Sequence, residues 1–304
     1  MNRNIKIKAV SAASSMLVFQ AILPFLLFAG DGSGSLISVS IQGGTNVSFS
    51  LSFEYLDQVL LPALERFGIY IERQMTKRGW SHGTMEVGHV EFQIKPVPPG
   101  QSIKAPEWPL EQGTITKIDV TILVPENLQK PLTASLLFEI GVLFPDIPTE
   151  IHLLEDSKHN ARIYTLLVAH TSTGLRFGRD WLYDKKTKGK TPHQLATEIS
   201  QKVVSELDIE LQNNGVVDEF LQDQLVVFQA LAEGRSSIPR STSNGGYKTR
   251  LDRTEEPFGD GSTHTTTARW VASQLLPQAK WYDNGRVCEG VGWKASPTDF
   301  TSAS

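Results

Sequence analysis

The chain has 304 residues and a formal net charge of −4, with 40% hydrophobic and 20% charged residues, which is the composition of a folded globular protein. Its length allows two domains with separate cores, since single cores stop growing at about 250–300 residues, and its charge means that any contact with nucleic acid must come from a local basic patch. The single cysteine, Cys288, excludes an intrachain disulfide and a Cys-rich zinc site, and it favours a reducing compartment.

The first thirty residues allow two interpretations. Three basic residues precede a mostly apolar stretch over 9–29, as in a secretory signal peptide. Several serines and Gln20 interrupt this stretch and Pro24 breaks it, so that no run approaches the ~20 apolar residues of a membrane span. A buried helix followed by a strand fits the same residues equally well.

The first third of the chain predicts a strand–helix–strand–strand unit. Alternating apolar residues over 37–41 predict a half-buried strand, and helical spacing over 53–67 predicts a helix with Gly68 at its C-cap. A strand that begins at Ile69 and another over 90–94 follow, before a cluster of prolines ends the pattern.

A second group of elements follows a linker at residues 98–109. Strands are predicted over 118–124 and 163–169, and helices over 128–143 and 192–211, where the apolar residues of each helix share one face. Because strands and helices occur in the same segment, we expect an α/β or α+β unit here.

The last third of the chain predicts two helices separated by an irregular segment. An apolar helix is expected over 220–231, with Asp218 and Glu219 as acidic residues at its start. Residues 235–261 are rich in Ser, Gly, Thr and Pro and show no period, which indicates a mobile loop. Four arginines in this loop offer a competing interpretation as an RNA clamp, namely Arg235, Arg240, Arg250 and Arg253.

His264 stands out because helical spacing resumes over 265–276 and places this histidine at a helix N-terminus. Such a position suits a phosphate group, since the amides of the first helical turn point toward the ligand. Hydroxyl residues flank the histidine on both sides: Ser262, Thr263, Thr265, Thr266 and Thr267. From the residues alone, His264 is either a helix-cap side chain or a nucleophile whose ring the hydroxyls orient.

Five short motifs are spread along the chain. They are Gly-Gly-Thr-Asn at 43–46, Lys-Arg-Gly at 77–79, Asp-Glu-Phe-Leu-Gln-Asp-Gln at 218–224, the hydroxyl-rich segment 262–267 and Val-Cys-Glu-Gly-Val-Gly at 287–292. Taken together they resemble the signature of RNA 3′-terminal phosphate cyclases. The resemblance extends from about Ser11 to Trp293, and it is closest around 36–67 and 217–234.

The resemblance implies roles for individual residues. In that family the histidine of the hydroxyl-rich segment attacks ATP and carries AMP covalently, so His264 is the implied catalytic residue. The nucleotide contacts of the family match Gln20, Pro62 and the segment that holds Phe220, Leu221, Gln222, Asp223 and Gln224. Phe220 stands where the family has a tyrosine, so it keeps the aromatic face and loses the hydroxyl. The implied cofactors are ATP and Mg²⁺ or Mn²⁺, and we assign no metal ligand in the protein.

The resemblance also implies an architecture. We expect an α+β fold made of a repeated β-α-β-β cyclase domain with its first repeat missing, and a smaller inserted α/β domain. The cyclase domain is expected over 1–97 and 210–304, and the insert over 98–209. In this arrangement the apolar N-terminal stretch is internal structure and not a signal peptide.

Two motifs of the family are absent or altered. A Gly-Glu-Gly-Gly-Gly-Gln segment, which in the family belongs to the first repeat, does not occur in this sequence. A Gly-Gly-Gly-Glu segment that follows the Lys-Arg-Gly turn is replaced by His-Gly-Thr-Met-Glu at 82–86. Lys77 and Arg78 form either a local positive site or a solvated hairpin end.

Two functions follow as hypotheses. The first is an ATP-dependent RNA 3′-terminal phosphate cyclase, a ligase that converts an RNA 3′-phosphate into a 2′,3′-cyclic phosphate through an adenylated histidine. The second is a catalytically silent or truncated relative that acts as a binding module in RNA processing or ribosome biogenesis. The expected partners are RNA 3′ ends and ATP, with no membrane, and the expected location is the nucleoplasm ahead of the cytoplasm.

Overall fold

The structure is a computed structural model that describes residues 3–9, 13–238 and 261–296. Within these residues the fold is α+β, with two four-stranded sheets and one three-stranded sheet. None of the helices that they form is long and apolar enough to cross a membrane. The α+β class expected from the sequence is confirmed, whereas the repeat and the inserted domain stay predictions.

The first sheet packs against helix α1. Its strands are β1 (Asn4–Lys8), β2 (Ile37–Gly43), β3 (Ile71–Lys77) and β4 (Gly88–Ile94), in the order β1-β2-β4-β3. β1 runs parallel to β2, and the other neighbours are antiparallel. Helix α1 (Ser15–Leu27) stacks Phe19 on Phe92 of β4, with the ring centroids 3.9 Å apart. The apolar residues near the N-terminus therefore form a helix of the hydrophobic core.

A continuous helical run follows β2. It consists of α2 (Phe53–Tyr55), a π-helical turn (Leu56–Leu60) and α3 (Leu61–Glu65), and we call it the 53–65 helix. The Ser52 side chain caps its start by accepting from the Tyr55 amide, and Gly68 follows its end with φ at +77°. The predicted helix with a glycine at its C-cap is confirmed, and the π-helical turn is a feature that hydrophobic spacing does not show.

The second sheet has an inner strand that is buried on both faces over residues 118–124. The strands β5 (Ile115–Val124), β6 (Thr149–Asp156), β7 (Tyr164–Thr171) and β8 (Arg176–Leu182) lie in the order β6-β5-β7-β8. Only β6 is parallel to its neighbour among these described strands. Helices α4 (Glu126–Leu143) and α5 (Pro192–Gln212) pack on each other and on the sheet. The 53–65 helix also contacts β5, because Gln58 Nε2 donates to Thr121 Oγ1 over 3.1 Å.

Two strands of this sheet were not expected from the sequence. β6 is an edge strand in which no residue is buried, so it lacks the alternation of a half-buried strand. β8 carries Arg176, Arg179 and Asp180 among its seven residues, and these charges obscure its apolar positions. Hydrogen bonding to β5 and β7 defines both strands in the folded protein.

The third sheet forms with the C-terminal helices. Its strands β9 (Glu233–Ser237), β10 (Lys280–Tyr282) and β11 (Val287–Val291) are antiparallel, in the order β10-β11-β9. Helices α6 (Glu219–Leu231) and α7 (Thr263–Leu275) pack against each other. A small core that includes Val226 and Ala230 of α6 with Trp281 and Cys288 joins α6 to this sheet.

The prediction of a loop over residues 235–261 is wrong for its first three residues. Residues 235–237 belong to β9, where pairing with β11 outweighs the weak strand preference of glycine and serine. Arg235 Nη2 donates to Glu289 Oε2 over 2.9 Å, so this arginine is engaged within the sheet. The other three arginines of the expected clamp lie outside the described residues: Arg240, Arg250 and Arg253.

One hydrophobic core extends through the first sheet, the second sheet and helix α6. Val39 of β2, Val120 of β5 and Leu225 of α6 all belong to it and are fully buried. The expected division of the chain into 1–97 with 210–304 and 98–209 stays a prediction.

Gly79 lies where three backbone segments approach one another. A β-carbon there would come within 2.4 Å of Gly43 O and 2.5 Å of Gly88 N. We expect Gly79→Ala to lower the free energy of unfolding by about 1–3 kcal/mol, because backbone atoms must move apart. Gly141 of α4 is an exposed helical control with open space around it, and Gly141→Ala should raise that free energy by up to about 1 kcal/mol. Urea unfolding at pH 7 measures both, and equal effects would contradict the close approach.

Candidate active site

Helices α6 and α7 bring His264 close to a carboxylate. His264 is the second residue of α7, after the N-cap Ser262, so the predicted position at a helix N-terminus is confirmed. Its Nδ1 lies 3.8 Å from Asp223 Oδ2 of α6, and its side chain is 85% exposed. This distance is longer than a hydrogen bond, and the exposed imidazole is accessible to a ligand.

Two glutamines extend this arrangement to a third helix. Gln20 Nε2 of α1 donates to Gln224 Oε1, across 204 residues of sequence. Gln224 Nε2 in turn donates to Asp223 Oδ1 over 2.9 Å. Gln20, Asp223, Gln224 and His264 therefore form one connected group, which we call the histidine cluster. Gln224 thus supplies the polar partner that a lone amide in an apolar helix needs.

Asp223 is the charged group that faces the imidazole. Burial raises the pKa of Asp223, and the hydrogen bond from Gln224 and the nearby His264 oppose that shift. A carboxylate in this position favours a positive charge on the imidazole, as arises when a ring nitrogen attacks phosphorus. The first-turn amides of Thr263 and His264 have no acceptor within the described part of the chain, so they can donate to phosphate oxygens.

Phe220 lies one helical turn before Asp223 and Gln224, on the same side of α6. Its side chain is 47% exposed. The ring packs edge-on against Tyr55 at a centroid distance of 6.4 Å, and the Arg179 guanidinium carbon lies 4.6 Å from its centroid. An exposed aromatic surface thus borders the histidine cluster.

The start of α6 is fixed by the buried Asp218 carboxylate. Asp218 Oδ1 accepts from the amides of Phe220 and Leu221, at 3.0 and 2.9 Å, and from the Tyr55 hydroxyl at 2.5 Å. Oδ2 accepts from the Gly178 amide of β8 at 2.8 Å. Burial raises the pKa of Asp218, and the positive charge of Arg179 opposes this shift. Asp218 is therefore the N-cap expected from the sequence and also a junction of three elements.

A second carboxylate, which is partly buried, lies beside this junction. Asp180 Oδ2 accepts from the Tyr164 hydroxyl over 2.9 Å, and the Tyr164 hydroxyl lies 2.6 Å from Ser52 Oγ. Burial raises the pKa of Asp180 from 3.8 to about 6, against the hydrogen bond from Tyr164 and the charge of Arg179. The side chain is therefore a proton-binding group of the folded protein near neutral pH.

The family model described as RNA 3′-terminal phosphate cyclase matches residues 1–279. The chain belongs to this family. It is similar to proteins named RNA 3′-terminal phosphate cyclase from Drosophila melanogaster, with 27% identity over 85% of this chain and 69% of that protein, and from Pyrococcus furiosus, with 28% identity over 79% of this chain and 65% of that protein. A probable RNA 3′-terminal phosphate cyclase from Dictyostelium discoideum is 28% identical over 75% of this chain and 51% of its own length. The chain thus spans between about half and two thirds of the relatives it matches.

The structure brings together only some of the residues that the cyclase resemblance implies. Four of them form the histidine cluster, and Phe220 borders it. Leu221 and Gln222 are buried, with 2% and 3% exposure, and Leu221 lines a shallow depression with Pro62. Gln222 Oε1 has no donor within the described residues and faces Gly261, where a β-carbon would lie 2.6 Å away. The contacts of all these residues with a nucleotide, and the catalytic role of His264, stay predictions.

Arg179 and Tyr55 border the site of this cyclase-family chain and were not found from the sequence. Arg179 lies on β8, a strand without a clear pattern, so nothing in the sequence places it near Phe220. Tyr55 was found as an apolar position of a predicted helix, which gives no sign that its hydroxyl binds a buried carboxylate. Both side chains act across long sequence separations, which short motifs do not show.

The Lys-Arg-Gly turn does not present two free cations. Arg78 is buried, with 8% of its side chain exposed, and it pairs with Glu54 and Glu155. Lys77 is 57% exposed and lies 3.4 Å from Glu86. The interpretation of Arg78 as part of a solvated hairpin end is therefore wrong, because its guanidinium bridges the 53–65 helix and β6.

A wide concavity of 470 Å³ lies elsewhere, on the outer face of the first sheet. It is lined by Ile5 and Ile7 of β1 and by polar residues of β1, β2 and β4; those of β2 and β4 alternate with buried residues that face the core. Charges of both signs occur there, including Lys6, Lys8 and Glu91. Because α1, which carries Gln20, packs on the inner face of this sheet, the sheet separates the concavity from the histidine cluster.

The raised pKa of Asp180 predicts a pH-dependent stability. Because the folded-state pKa of about 6 exceeds 3.8, the folded protein binds this proton more tightly, and the free energy of unfolding falls as pH rises from 4 to 6. The expected loss is about 1.4 kcal/mol for each pH unit between these two values. Asp180→Asn should flatten that profile in urea unfolding, whereas Asp184→Asn, at an exposed position, should not. Parallel profiles for wild type and Asp180→Asn would contradict the assignment.

Proposed function

We propose that this chain is an ATP-dependent RNA 3′-terminal phosphate cyclase that uses His264 as its nucleophile. A ring nitrogen of His264 attacks the α-phosphorus of ATP, which forms a phosphoramidate and releases pyrophosphate. An oxygen of the RNA 3′-phosphate then attacks this phosphorus and displaces the imidazole. The neighbouring 2′-hydroxyl attacks the activated 3′-phosphate, which closes the 2′,3′-cyclic phosphate and releases AMP.

The observation that carries this proposal is the convergence of the histidine cluster. Three helices that are far apart in sequence place an exposed imidazole next to a partly buried aspartate and two linked glutamines. A structural role alone would not require His264 to be 85% exposed at a helix N-terminus. Family membership supplies the chemistry for which such an imidazole is suited.

Phe220 is the proposed stacking surface for the adenine base. Its ring is exposed on the side of α6 that carries Asp223 and Gln224, and an aromatic face stacks on a base without needing a hydroxyl. The side-chain amides of Gln20 and Gln224 are then the groups proposed to contact polar atoms of the nucleotide. In this proposal, Gln20 and Gln224 hold each other in place and leave their remaining hydrogen-bonding capacity for the ligand.

The proposed phosphate position is the start of α7. Its first-turn amides and the hydroxyls around His264 provide donors for α-phosphate oxygens. No group of three or more potential metal-ligating side chains occurs among the described residues. A Mg²⁺ or Mn²⁺ ion would therefore be held mainly by the triphosphate, with Asp223 as the acidic side chain nearest to His264. The ion would offset the charge of the departing pyrophosphate.

The relatives named as cyclases are longer than this chain. Activity on RNA, the RNA 3′ end as substrate and a nuclear location are accordingly parts of the proposal. Histidine adenylation is the step that the described residues support most directly, because the residues proposed for it lie on α1, α6 and α7. It is also the step that can be measured without RNA.

Incubation with α-labelled ATP and magnesium tests the proposal. We expect acid-labile, alkali-stable label on the wild-type chain, as for a phosphoramidate, and none on His264→Ala. His193→Ala is the matched control, because His193 is also an exposed histidine at the second position of a helix, α5, that begins with a capping hydroxyl residue. The control variant should carry as much label as wild type.

Absence of label from the wild-type chain would overturn the enzyme proposal for this chain and favour a binding role. Label that persists in His264→Ala would also contradict it, because the nucleophile would then be another residue. Transfer of the labelled AMP to an RNA oligonucleotide with a 3′-phosphate, and not to one with a 3′-hydroxyl, tests the second step.

A further inference from the structure

Arg179 is a buried cation next to the proposed base-stacking residue. Its side chain is 7% exposed, and its Nη2 pairs with Glu210 Oε2 of α5, whose side chain is 2% exposed. The same Nη2 lies 3.6 Å from Glu219 Oε2, in the first turn of α6. The arginine therefore links β8 to α5 and to the start of α6.

The guanidinium of Arg179 covers one face of the Phe220 ring. The guanidinium carbon lies 4.6 Å from the ring centroid, within the range of a cation–π contact. Tyr55 packs against the same ring edge-on, at 6.4 Å and an interplanar angle of 76°. With one face covered and an edge in contact, the exposed surface of Phe220 is restricted to the other side of the ring.

A phenylalanine at this position depends on such support. The aromatic ring has no hydroxyl through which a hydrogen bond could fix its orientation. A planar guanidinium held by two carboxylates has little freedom itself, and it can define the plane of the ring on which it lies. The contacts of Arg179 thus supply the orientation that the side chain of Phe220 cannot supply.

We propose that Arg179 is a positioning residue for the nucleotide, acting through Phe220. It holds the ring so that the free face receives the base while the α-phosphate reaches His264. This inference rests on the proposed function, because it requires that ATP binds beside α6. It assigns to Arg179 an effect on ATP affinity and not on the chemical step, since the guanidinium does not touch the reacting atoms.

The test is a double-mutant cycle between Arg179→Lys and Phe220→Leu. Lysine keeps a positive charge that can pair with Glu210, but it lacks the planar guanidinium that covers the Phe220 ring. The substitution therefore removes the stacking contact and keeps the ion pair. The ATP concentration that gives half-maximal histidine labelling should rise about three- to thirtyfold in Arg179→Lys, while the maximal labelling rate changes less than about twofold. In the Phe220→Leu background, the same lysine substitution should have no further effect.

Arg162→Lys is the matched control, at another buried arginine that contacts an aromatic ring. Arg162 Nη1 pairs with Glu86 Oε2 at 2.7 Å, and its guanidinium carbon lies 6.0 Å from the centroid of the Trp80 ring. This substitution should leave the ATP dependence unchanged in both backgrounds. The folded state of every variant is checked by urea unfolding before labelling.

The outcomes separate this inference from the proposed function. If the wild-type chain takes up no label, the proposed function fails and the role of Arg179 fails with it. Suppose that wild type is labelled, but Arg179→Lys raises the half-maximal ATP concentration by the same factor whether residue 220 is phenylalanine or leucine. The arginine then acts on the fold and not through the ring. If Arg179→Lys lowers the maximal rate and leaves the ATP dependence unchanged, the positioning role is also overturned.

Discussion

The buried carboxylate of Asp218 is the interaction on which the rest of the site depends. Burying a carboxylate carries a large desolvation cost, which four donors offset here: the amides of Phe220, Leu221 and Gly178 and the Tyr55 hydroxyl. These donors come from α6, β8 and the 53–65 helix. These contacts at the N-terminus of α6 therefore fix the position and direction of the helix.

From this fixed start, α6 acts as the platform of the site. Its successive turns carry Phe220, then Asp223 and Gln224, so the base-stacking surface and the polar groups keep a constant spacing. Gln20 is added by α1, which packs on the first sheet, and His264 by α7, which packs against α6. A shift of α6 would move all of these contacts together, whereas a change in α7 would move the histidine alone.

The sequence predicts the parts of this structure that depend on local patterns. The helices at 53–65 and 219–231 and the placement of His264 follow from periodicity and from capping residues. The parts that were missed depend on distant partners. β8 and β9 form because neighbouring strands pair with them, and Arg78 is buried because it pairs with Glu54 and Glu155. Arg179 lies on a strand of the second sheet and contacts Phe220 of α6. Hydrophobic spacing does not identify such distant partners.

Photocrosslinking with an azido-ATP analogue, followed by peptide mapping, tests most directly whether the nucleotide binds at α6 and α7. We expect crosslinks within residues 219–231 or 262–276, which excess ATP abolishes, and their loss when Asp218→Ala disrupts the start of α6. Crosslinks confined to the concavity on the outer face of the first sheet, around Lys6 and Lys8, would contradict it. So would crosslinks that excess ATP does not reduce.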